Sequence, residues 1–520
     1  MQWWKNIDCI THRKQGKHEV FDPDILNLQF AQRCEFAKGE TREPYPNFDM
    51  TGAPPPFITL TEIEQALKTC KRTSPGPSEL PHFVFRDFWM ILATHYWYVW
   101  NLSLEKGNFP QSYKRANIHA IPKMKNAKEI KQLRGVSVTS ISARLFEKVV
   151  YRRWIAENIC VRGDPFQFAY KRSLSTIDYL LTLQYLVLKH LDNSDIDGVH
   201  VVAVDFAMAF DKVNQEIACR QYRKFIDSPY IQRWLYNFTI ERTQRLAWRG
   251  QYCNYLPIDR GCAQGTVCGP SIFSMLTDDM TCLNPKCYLL KYSDDMSCVV
   301  PCPKNPSDSE TERLREELSN FCKQAGDKGL CINHQKTKQI RFCLNYRPDC
   351  KCSTMSPMFS EEMELRVLGV TFQRNCLFTH HTKKLLSNLR SLLYLFKDLR
   401  IKRVSSEDIS KIFDALIVSR IRYAISVYAC DTNALKKIDT FLEKCYSRNY
   451  TSKRILVTAI LKAEDHRLMT NILCNPRHPL HAVLHAQRKT RTTRHNFFGV
   501  KPKTNTTIFM KSFCNRVLTM

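Results

Sequence analysis

Two short segments of the chain place carboxylates where they could bind divalent cations. In the first segment, an apolar run at 201–204 ends in Asp205. In the second, Asp294 and Asp295 form the end of a Tyr-Ser-Asp-Asp tetrapeptide. Clustered carboxylates repel each other unless cations neutralise them, and oxygen-only ligand sets suit Mg²⁺. Two such ions can activate an attacking hydroxyl and stabilise a leaving oxygen, so the pattern indicates phosphoryl transfer.

The apolar runs around these carboxylates predict strands of one sheet. Residues 201–204 are typical of a buried strand that ends at Asp205. Residues 287–292 and 296–300 predict a hairpin with the acidic pair at its tip. We expect the two carboxylate segments to meet on adjacent strands. Taken alone, an Asp-Asp pair in a hairpin is ordinary turn chemistry, so the other motifs decide its meaning.

A glycine-containing loop lies between the two acidic segments. Residues 261–270 read Gly-Cys-Ala-Gln-Gly-Thr-Val-Cys-Gly-Pro and precede an apolar helix. Glycine at 265 and 269 lets the backbone approach another chain or a ligand closely. The loop completes an ordered set of three segments.

Composition narrows the class of protein. The chain has 520 residues, 44% of them hydrophobic, which excludes a largely disordered protein. Its 77 Lys and Arg residues against 50 Asp and Glu give a formal charge of +27, which suits a polyanionic partner. No apolar run reaches the roughly 18 residues that span a bilayer. The N-terminus lacks a signal core, so we expect the 22 cysteines to stay reduced inside the cell.

The remaining pattern predicts further elements. Thr61 and Glu64 have the spacing of a capping box for a helix that starts near Thr61. Residues 367–372 predict a short strand, and residues 380–450 predict helices. Prolines in the first 56 residues favour a connector without regular structure.

Taken together, these segments resemble the reverse transcriptase domain of non-LTR (LINE-type) retrotransposons. The family's DFxxAFD, QGxxxGP and YxDD motifs correspond to residues 205–211, 264–270 and 292–295. Flanking segments that are similar to further family motifs are 74–77 (SPGP), 121–123 (IPK), 134–137 (RGVS), 145–148 (LFEK), 167–176 (QFAYK with Ser-Thr), 329–337 (GLxxNxxKT) and 367–370 (VLGV). The resemblance covers about residues 57–450.

The resemblance implies an α/β (α+β) fold, a right-hand polymerase with fingers, palm and thumb. The palm would be an antiparallel sheet backed by helices. The implied organisation is a connector (1–56), an N-terminal helical extension (57–113), fingers and palm (114–372), a helical thumb (373–450) and a basic C-terminal region (451–520). Relatives carry an upstream endonuclease, which this sequence lacks, so we expect a truncated copy.

The resemblance also implies a metal site. Asp205 and Asp294 would bind two Mg²⁺ ions, for which Mn²⁺ is a possible substitute, and Asp295 would complete the acidic cluster. The backbone carbonyl of Phe206 would contact the metal on the nucleotide side. The implied reaction is RNA-directed DNA synthesis from dNTPs, with an RNA template and a DNA primer or target.

Other residues of the resemblance imply nucleotide and primer contacts. Phe210 would be a steric gate against the 2′-hydroxyl. Lys123 and Arg134 would bind the triphosphate of the incoming dNTP. Gln264 and Gly265 would line the pocket around it.

Two positions beyond the catalytic hairpin complete the implied roles. Lys336 could protonate the departing pyrophosphate, or be an ordinary solvated lysine. Leu368 and Gly369 would grip the primer.

Several positions depart from the family pattern. Gly135 follows Arg134 where the family has proline, and Ser293 replaces the alanine of YADD. Ala207-Met208 stand where relatives have a polar residue and a lysine. The acidic residues are intact, yet an alternative stays open: an inactive or co-opted retroelement relic that binds RNA or an RNA–DNA hybrid.

A second group of potential ligands lies near the C-terminus. Cys474, His478, His481 and His485 have a spacing that could bind zinc, but a zinc knuckle needs three cysteines, so ordinary packing is favoured. Asp211 is interpreted as a structural partner at a helix start. No membrane contact is expected, and the family implies an intracellular location in nucleus and cytoplasm.

Overall fold

The computed structural model describes residues 21–36, 43–124, 127–304, 308–344, 359–486 and 504–518. The chain divides into two compact units. The first unit comprises Met1–Asp164, Phe206–Met280 and Lys323–Cys331, and the second comprises Pro165–Asp205, Thr281–Cys322 and Ile332–Met520. Within the described ranges, no helix has both the length and the apolar character needed to cross a membrane.

The strands of the described residues belong to three sheets. In chain order they are β1 (Arg115–Pro122), β2 (Leu133–Val138), β3 (Ile196–Val204), β4 (Arg242–Trp248), β5 (Gln251–Tyr252), β6 (Leu256–Ile258), β7 (Tyr288–Tyr292), β8 (Asp295–Pro303), β9 (Lys338–Phe342), β10 (Ser360–Glu361), β11 (Glu364–Val367) and β12 (Val370–Gln373).

Helices surround these sheets and make up most of the C-terminal part. They are α1 (Pro23–Gln32), α2 (Leu60–Lys68), α3 (His82–Asp87), α4 (Trp89–Glu105), α5 (Ile141–Val150), α6 (Ala156–Arg162), α7 (Thr176–Leu191), α8 (Gln215–Tyr222), α9 (Pro229–Thr239), α10 (Gly269–Leu276), α11 (Asp308–Asp327), α12 (Thr379–Ile401), α13 (Ser406–Phe413), α14 (Ser419–Arg422), α15 (Ile425–Tyr428), α16 (Thr432–Ser447), α17 (Val457–Leu473), α18 (His481–Ala486), α19 (Thr507–Met510) and α20 (Phe513–Val517). Short 3₁₀ turns occur at Gly76–Ser78, Gln111–Lys114 and Ile130–Gln132, and π-helical turns at Tyr151–Ile155 and Asp414–Val418.

The first unit contains a sheet in the order β2-β1-β4-β5, with β6 also paired to β4. Strand β1 runs antiparallel to β2 and parallel to β4. Helix α1 packs on β4 and β6. It begins with Pro23 in its first turn, where the missing N–H costs nothing, and the Asp22 side chain accepts from two backbone N–H groups. This cap fixes where the helix starts.

The second unit contains the sheet that carries the acidic motifs, in the order β10-β9-β3-β8-β7. Each neighbouring pair among β9, β3, β8 and β7 is antiparallel, and the short edge strand β10 runs parallel to β9. Helix α7 packs on β3, β7 and β8, and its leucines share a buried core with strand valines such as Val201 and Val299. The predicted α/β fold, with an antiparallel sheet backed by helices, is confirmed.

Three local predictions differ from the structure. Helix α2 is capped by Thr59 and Glu62, not by Thr61 and Glu64. The sequence holds two overlapping Thr-x-x-Glu boxes, and the earlier one is used, while Glu64 forms an ion pair with Lys68. Residues 367–372 are not one strand: Val367 ends β11, the next two residues form a turn, and residues 370–372 belong to β12.

The third difference is helix α1, which lies within the predicted connector. Most of the prolines on which that prediction rested lie in residues 44–56, and the prediction was wrong for the helix that precedes them. Its Leu26 and Phe30 are buried with Ile118, Leu133 and Leu246 in a small core of the first unit. The helix is therefore part of a folded core, because two of its apolar side chains have a sheet to pack against.

Candidate active site

The acidic residues of the two segments lie on adjacent strands of the second unit. Val204 at the end of β3 pairs with Met296 on β8, so the chain positions that follow in register are Asp205 and Asp295. Tyr292 pairs with Asp295 and closes a two-residue turn that contains Asp294. The predicted meeting of the two carboxylate segments on one sheet is confirmed.

The carboxylates of Asp205, Asp294 and Asp295, which we call the acidic turn, are accessible to water. The Asp205 side chain is 43% exposed, Asp294 is partly exposed and Asp295 is exposed. A carboxylate that keeps contact with solvent can bind a hydrated cation without a large desolvation cost. Position and exposure therefore both suit metal binding.

The segment after α11 holds the backbone of Asp205 on both sides. The backbone N–H of Asn333 donates to the carbonyl oxygen of Asp205 at 2.8 Å, and the Asp205 N–H donates to Thr337 Oγ1 at 3.2 Å. The Thr337 N–H donates to the carbonyl of Asn333 at 2.9 Å, which closes the segment on itself. The GLxxNxxKT resemblance carried no stated role for Asn333 and Thr337; the structure shows that they fix the main chain of Asp205.

Lys336 lies beside the same carboxylate. Its Nζ is 4.0 Å from Asp205 Oδ1, and the lysine side chain is 62% exposed. The distance is that of a weak, solvated ion pair, worth at most about 1 kcal/mol. Lys336 can therefore lower the local negative charge and still reorient toward a phosphate.

The donor set fits Mg²⁺ completed by water and substrate oxygens. In the ranges that the structure describes, no group of three or more His, Cys, Asp or Glu side chains is arranged to hold a metal by itself. Mg²⁺ retains several waters and is commonly bound through one or two carboxylates plus substrate phosphates. The all-oxygen side chains of Asp205, Asp294 and Asp295 agree with that mode.

A preceding segment of the second unit braces the acidic turn. The N–H of Phe168 donates to the carbonyl of Lys291 at 2.9 Å, and the Lys291 N–H donates to the carbonyl of Phe166 at 2.9 Å. The buried side chain of Gln167 accepts from the N–H of Ser293 at 3.4 Å. This brace was not predicted, although the QFAYK resemblance pointed to the segment.

In the first unit, the side chain of Phe210 stacks on a second phenylalanine ring. Its ring stacks on that of Phe273 in α10, with centroids 4.8 Å apart and planes 28° apart. The Cys262 N–H donates to the carbonyl of Phe210 at 2.8 Å. The half-buried ring is thus supported by one stacked ring, and its backbone by one hydrogen bond, which suits a steric gate.

Gln264 and Asp211 form a polar contact in the same unit. Gln264 Nε2 donates to Asp211 Oδ1 at 3.0 Å. Burial raises the pKa of Asp211, while this hydrogen bond and the charge of Arg33 act in the opposite direction. Asp211 therefore has the surroundings of a structural partner, and one N–H of Gln264 is committed to it.

Gly265 lies tightly against strand β2. Its φ is +110°, and a Cβ at this position would lie 2.4 Å from the carbonyl oxygen of Ser137. The Ser137 N–H donates to the carbonyl of Gln264 at 2.7 Å. Both backbone conformation and close approach therefore require glycine here.

Glu147 anchors the other end of this loop and was missed as a site residue. It is fully buried, and its Oε2 accepts from the N–H groups of Val267 at 2.7 Å and Cys268 at 3.1 Å. Burial raises the pKa of Glu147, and these two N–H groups and the buried Arg242 counteract that rise. A glutamate on the apolar face of α5 was the available signal, because such a carboxylate needs buried donors.

Lys123 and Arg134 lie close together at one end of the β1–β2 ladder. Arg134 is directly opposite Ile121, two residues before Lys123. Both cationic side chains are exposed, and Lys123 Nζ donates to the carbonyl of Lys131 at 3.2 Å. Side chains at this spacing share a face of the sheet, so two cations can approach one anion.

Helix α1 packs against the neighbouring Gly135 through the ring of Phe30. A Cβ at Gly135 would lie 3.0 Å from two ring carbons of Phe30. The Arg33 guanidinium lies over the Phe30 ring, 4.4 Å from its centroid, and donates to the carbonyl of Ile130 at 3.0 Å. Glycine, which stands here where the family has proline, therefore leaves the space that the Phe30 ring fills.

Leu368 and Gly369 form the two-residue turn of the β11–β12 hairpin. Their φ values are +42° and +88°. Tyr423 Oη donates to the carbonyl of Leu368 at 2.6 Å. Left-handed backbone at both turn positions is typical of a type I′ turn, which favours glycine at the second.

The histidines near the C-terminus pack as ordinary side chains. His478 is buried, with Nε2 3.3 Å from Asp178 Oδ1, and its Nδ1 accepts from the N–H of Leu480 at 3.0 Å. Both ring nitrogens are thus engaged. His481 and His485 stack on each other, with ring centroids 5.4 Å apart. This arrangement favours the packing interpretation over zinc.

Comparisons with known proteins agree with this site. The family described as reverse transcriptase (RNA-dependent DNA polymerase) matches residues 121–372. Residues 121–372 are a reverse transcriptase domain. The matched range contains both acidic segments, the glycine loop and the β11–β12 turn.

The most similar relatives come from mobile elements. The RNA-directed DNA polymerase from mobile element jockey of Drosophila funebris is 24% identical over 71% of this chain and 41% of its own length. The probable RNA-directed DNA polymerase from transposon BS of Drosophila melanogaster is 24% identical over 63% of this chain and 37% of its own. The chain thus spans about two fifths of these relatives. A solved apo telomerase from Candida tropicalis aligns with 14% identity over 56% of this chain and 59% of that one, with a TM-score of 0.33.

Proposed function

We propose that the protein is an RNA-directed DNA polymerase that joins dNTPs to a primer 3′-hydroxyl on an RNA template. The single observation that carries the proposal is the acidic turn. Asp205, Asp294 and Asp295 come from two adjacent strands within a reverse transcriptase domain and keep access to solvent. Exposed carboxylates gathered at strand ends are what two-metal nucleotidyl transfer needs.

The acidic turn would bind the divalent ions. Asp205 and Asp294 would each supply carboxylate oxygens, with Asp295 adding negative charge and the carbonyl of Phe206 a further oxygen. When bound, Mg²⁺ would favour the deprotonated 3′-hydroxyl and offset the charge of the departing pyrophosphate. Lys336 would lie near that phosphate and supply a proton, since its side chain is exposed and its ion pair with Asp205 is weak.

Side chains of the first unit would select and hold the nucleotide. Lys123 and Arg134 would bind the triphosphate, and a guanidinium can contact two phosphate oxygens at once. Phe210, fixed on Phe273, would exclude a 2′-hydroxyl. Gln264 and Gly265 would line the pocket.

The template and primer would be bound through their phosphates. The formal charge of +27 supplies the cations for a polyanionic partner, and the β11–β12 turn at Leu368 and Gly369 would contact the primer end. Each neutralised phosphate releases a counterion, so affinity for an RNA–DNA hybrid should fall steeply as salt increases.

The test is primer extension on an RNA template with dNTPs and Mg²⁺. We expect extension that requires both, and we expect Asp294→Asn to abolish it. Asp414→Asn is the matched control, because Asp414 is an exposed aspartate of the second unit outside the acidic turn.

The alternative function makes a different prediction in the same assay. A relic that only binds RNA would show salt-sensitive binding to an RNA–DNA hybrid and no extension by the wild-type protein with Mg²⁺ or Mn²⁺. That result would overturn the polymerase proposal.

A further inference from the structure

Two residues that depart from the family's motifs contact each other in the second unit. Residues 167–176 resemble the family's QFGFRxxxST motif, and Tyr170 stands where that motif has its second phenylalanine. Ser293 stands where YADD has alanine. Tyr170 Oη and Ser293 Oγ are 2.7 Å apart, a hydrogen-bond distance for two hydroxyls. Each substitution adds one hydroxyl, and the two hydroxyls bind each other.

Both residues have an unfavourable backbone conformation. Tyr170 has a φ of +61° and Ser293 a φ of +60°. Left-handed backbone is uncommon for residues other than glycine, and it persists where surrounding contacts hold it. Ser293 lies directly before Asp294, so a contact that holds its backbone also holds the start of the acidic pair.

The hydroxyl bond adds to a brace that already grips the same strand. Gln167 accepts from the Ser293 N–H, and the backbone of Phe168 is bonded to Lys291 on β7. The brace thus binds Ser293 through its main chain, whereas Tyr170 binds it through its side chain. Tyr170 supplies the contact closest to the tip of the turn.

We propose that Tyr170 is a positioning residue for nucleotidyl transfer: through Ser293 it holds the acidic turn in the conformation that presents Asp294 and Asp295. The inference rests on the proposed polymerase function and adds a residue to it. It also gives a partner to the serine hydroxyl that stands where relatives have alanine.

The experiment is a double-mutant cycle with Tyr170→Phe, Ser293→Ala and both together. One hydrogen bond corresponds to about a fivefold change in rate, so we expect Tyr170→Phe to slow single-turnover extension about fivefold. Ser293→Ala should cost less, because Ser293 is only 6% exposed and Tyr170 is 38% exposed. A buried hydroxyl left without its partner costs more than one that water can reach.

The coupling between the two positions decides the matter. We expect the double variant to be no slower than Tyr170→Phe, because both single variants remove the same hydrogen bond. Losses that simply multiply in the double variant would overturn the proposal. Tyr394→Phe, which removes a hydroxyl from a highly exposed tyrosine of α12, is the matched control.

A second measurement separates positioning from stability. We expect Tyr170→Phe to weaken Mg²⁺ binding to the free protein severalfold in a calorimetric titration, with little change in melting temperature. A lowered melting temperature with unchanged Mg²⁺ affinity would mean that Tyr170 only stabilises the fold, and would overturn the proposal.

Failure of the polymerase function would look different. A wild-type protein without extension would refute that function, whereas coupled effects of Tyr170 and Ser293 on Mg²⁺ affinity would still be measurable. A wild-type protein that extends primers, with no coupling in rate or affinity, would refute the role of Tyr170 alone.

Discussion

Aspartates in the two units differ in how strongly their surroundings desolvate them. In the second unit, Asp205, Asp294 and Asp295 reach solvent at the end of a sheet. In the first unit, Asp211 is only partly exposed, and burial raises its pKa. Asp205 and Asp211 belong to one seven-residue motif, yet only one of them keeps its oxygens available.

The difference teaches what each carboxylate can do. An exposed carboxylate retains its charge and its lone pairs, so it can bind a hydrated cation. A carboxylate that burial partly desolvates needs protein donors for its oxygens, and Asp211 accepts from Gln264. The acidic turn is thus suited to chemistry, and Asp211 is suited to holding the loop that contains Gln264.

The largest expected effect separates the aspartates of the acidic turn from Asp211. We expect Asp205→Asn or Asp294→Asn to reduce single-turnover extension by roughly 10³-fold or more, since a metal contributes several kcal/mol to phosphoryl transfer. Asp211→Asn keeps an acceptor for Gln264, so its rate should fall less than about tenfold. Equal losses in correctly folded variants, checked by circular dichroism, would contradict the assignment.

A second test concerns sugar selection in the first unit. We expect Phe210→Ala to reduce the preference for a dNTP over the matching NTP by about 10- to 100-fold, because the ring no longer occupies the space of the 2′-hydroxyl. Phe273→Leu keeps the gate but loosens its support, so it should produce a smaller loss. The ratio of kcat/KM values for the two nucleotides measures both, and an unchanged ratio in Phe210→Ala would exclude the gate.

A third test concerns the packing beside Arg134. We expect Gly135→Ala to raise the KM for dNTP severalfold, because its Cβ would press on the Phe30 ring and displace the strand. Phe30→Leu in the same chain makes room and should recover part of the loss. If the double variant is worse than either single variant, helix α1 does not act through Gly135.

The smallest expected effect is a difference in pH dependence between the units. Burial lowers the pKa of both His200 and His381 in the second unit to about 4, and nearby cations such as Arg341 and Arg366 add to the shift. Between pH 6.5 and 4 both histidines become protonated in the unfolded chain but stay largely neutral in the folded unit. These histidines therefore stabilise the second unit above pH 6.5, and that contribution is lost as pH falls toward 4.

The first unit should respond with the opposite sign at its buried acids. Burial raises the pKa of Asp211 and Glu147, so their protonation favours the folded state as pH falls. Limited proteolysis in urea at pH 7, 6 and 5, with fragments assigned to each unit, measures both. We expect the second unit to lose resistance sooner, and His200→Gln to reduce that loss; equal behaviour of the units would contradict the sign.

Much of the acidic site could be predicted because its signals are local. The apolar runs before Asp205 and around Asp294 have strand character, and a two-residue turn places the acidic pair at a hairpin tip. Helix α1 and the turn at Leu368 and Gly369 were missed or misread. The first needed a distant sheet to bury its face, and the second had a short apolar run that concealed the turn.

The sequence by itself determined the family, the strands that carry the acidic residues and the charge that suits a nucleic acid, because these depend on residue type and local spacing. The tertiary structure decided which side chains support them. Tyr170 and Ser293 are 123 positions apart, and Phe30 covers Gly135 from a helix that local pattern did not predict. Contacts of this kind depend on how distant segments pack, which no local period in the sequence encodes.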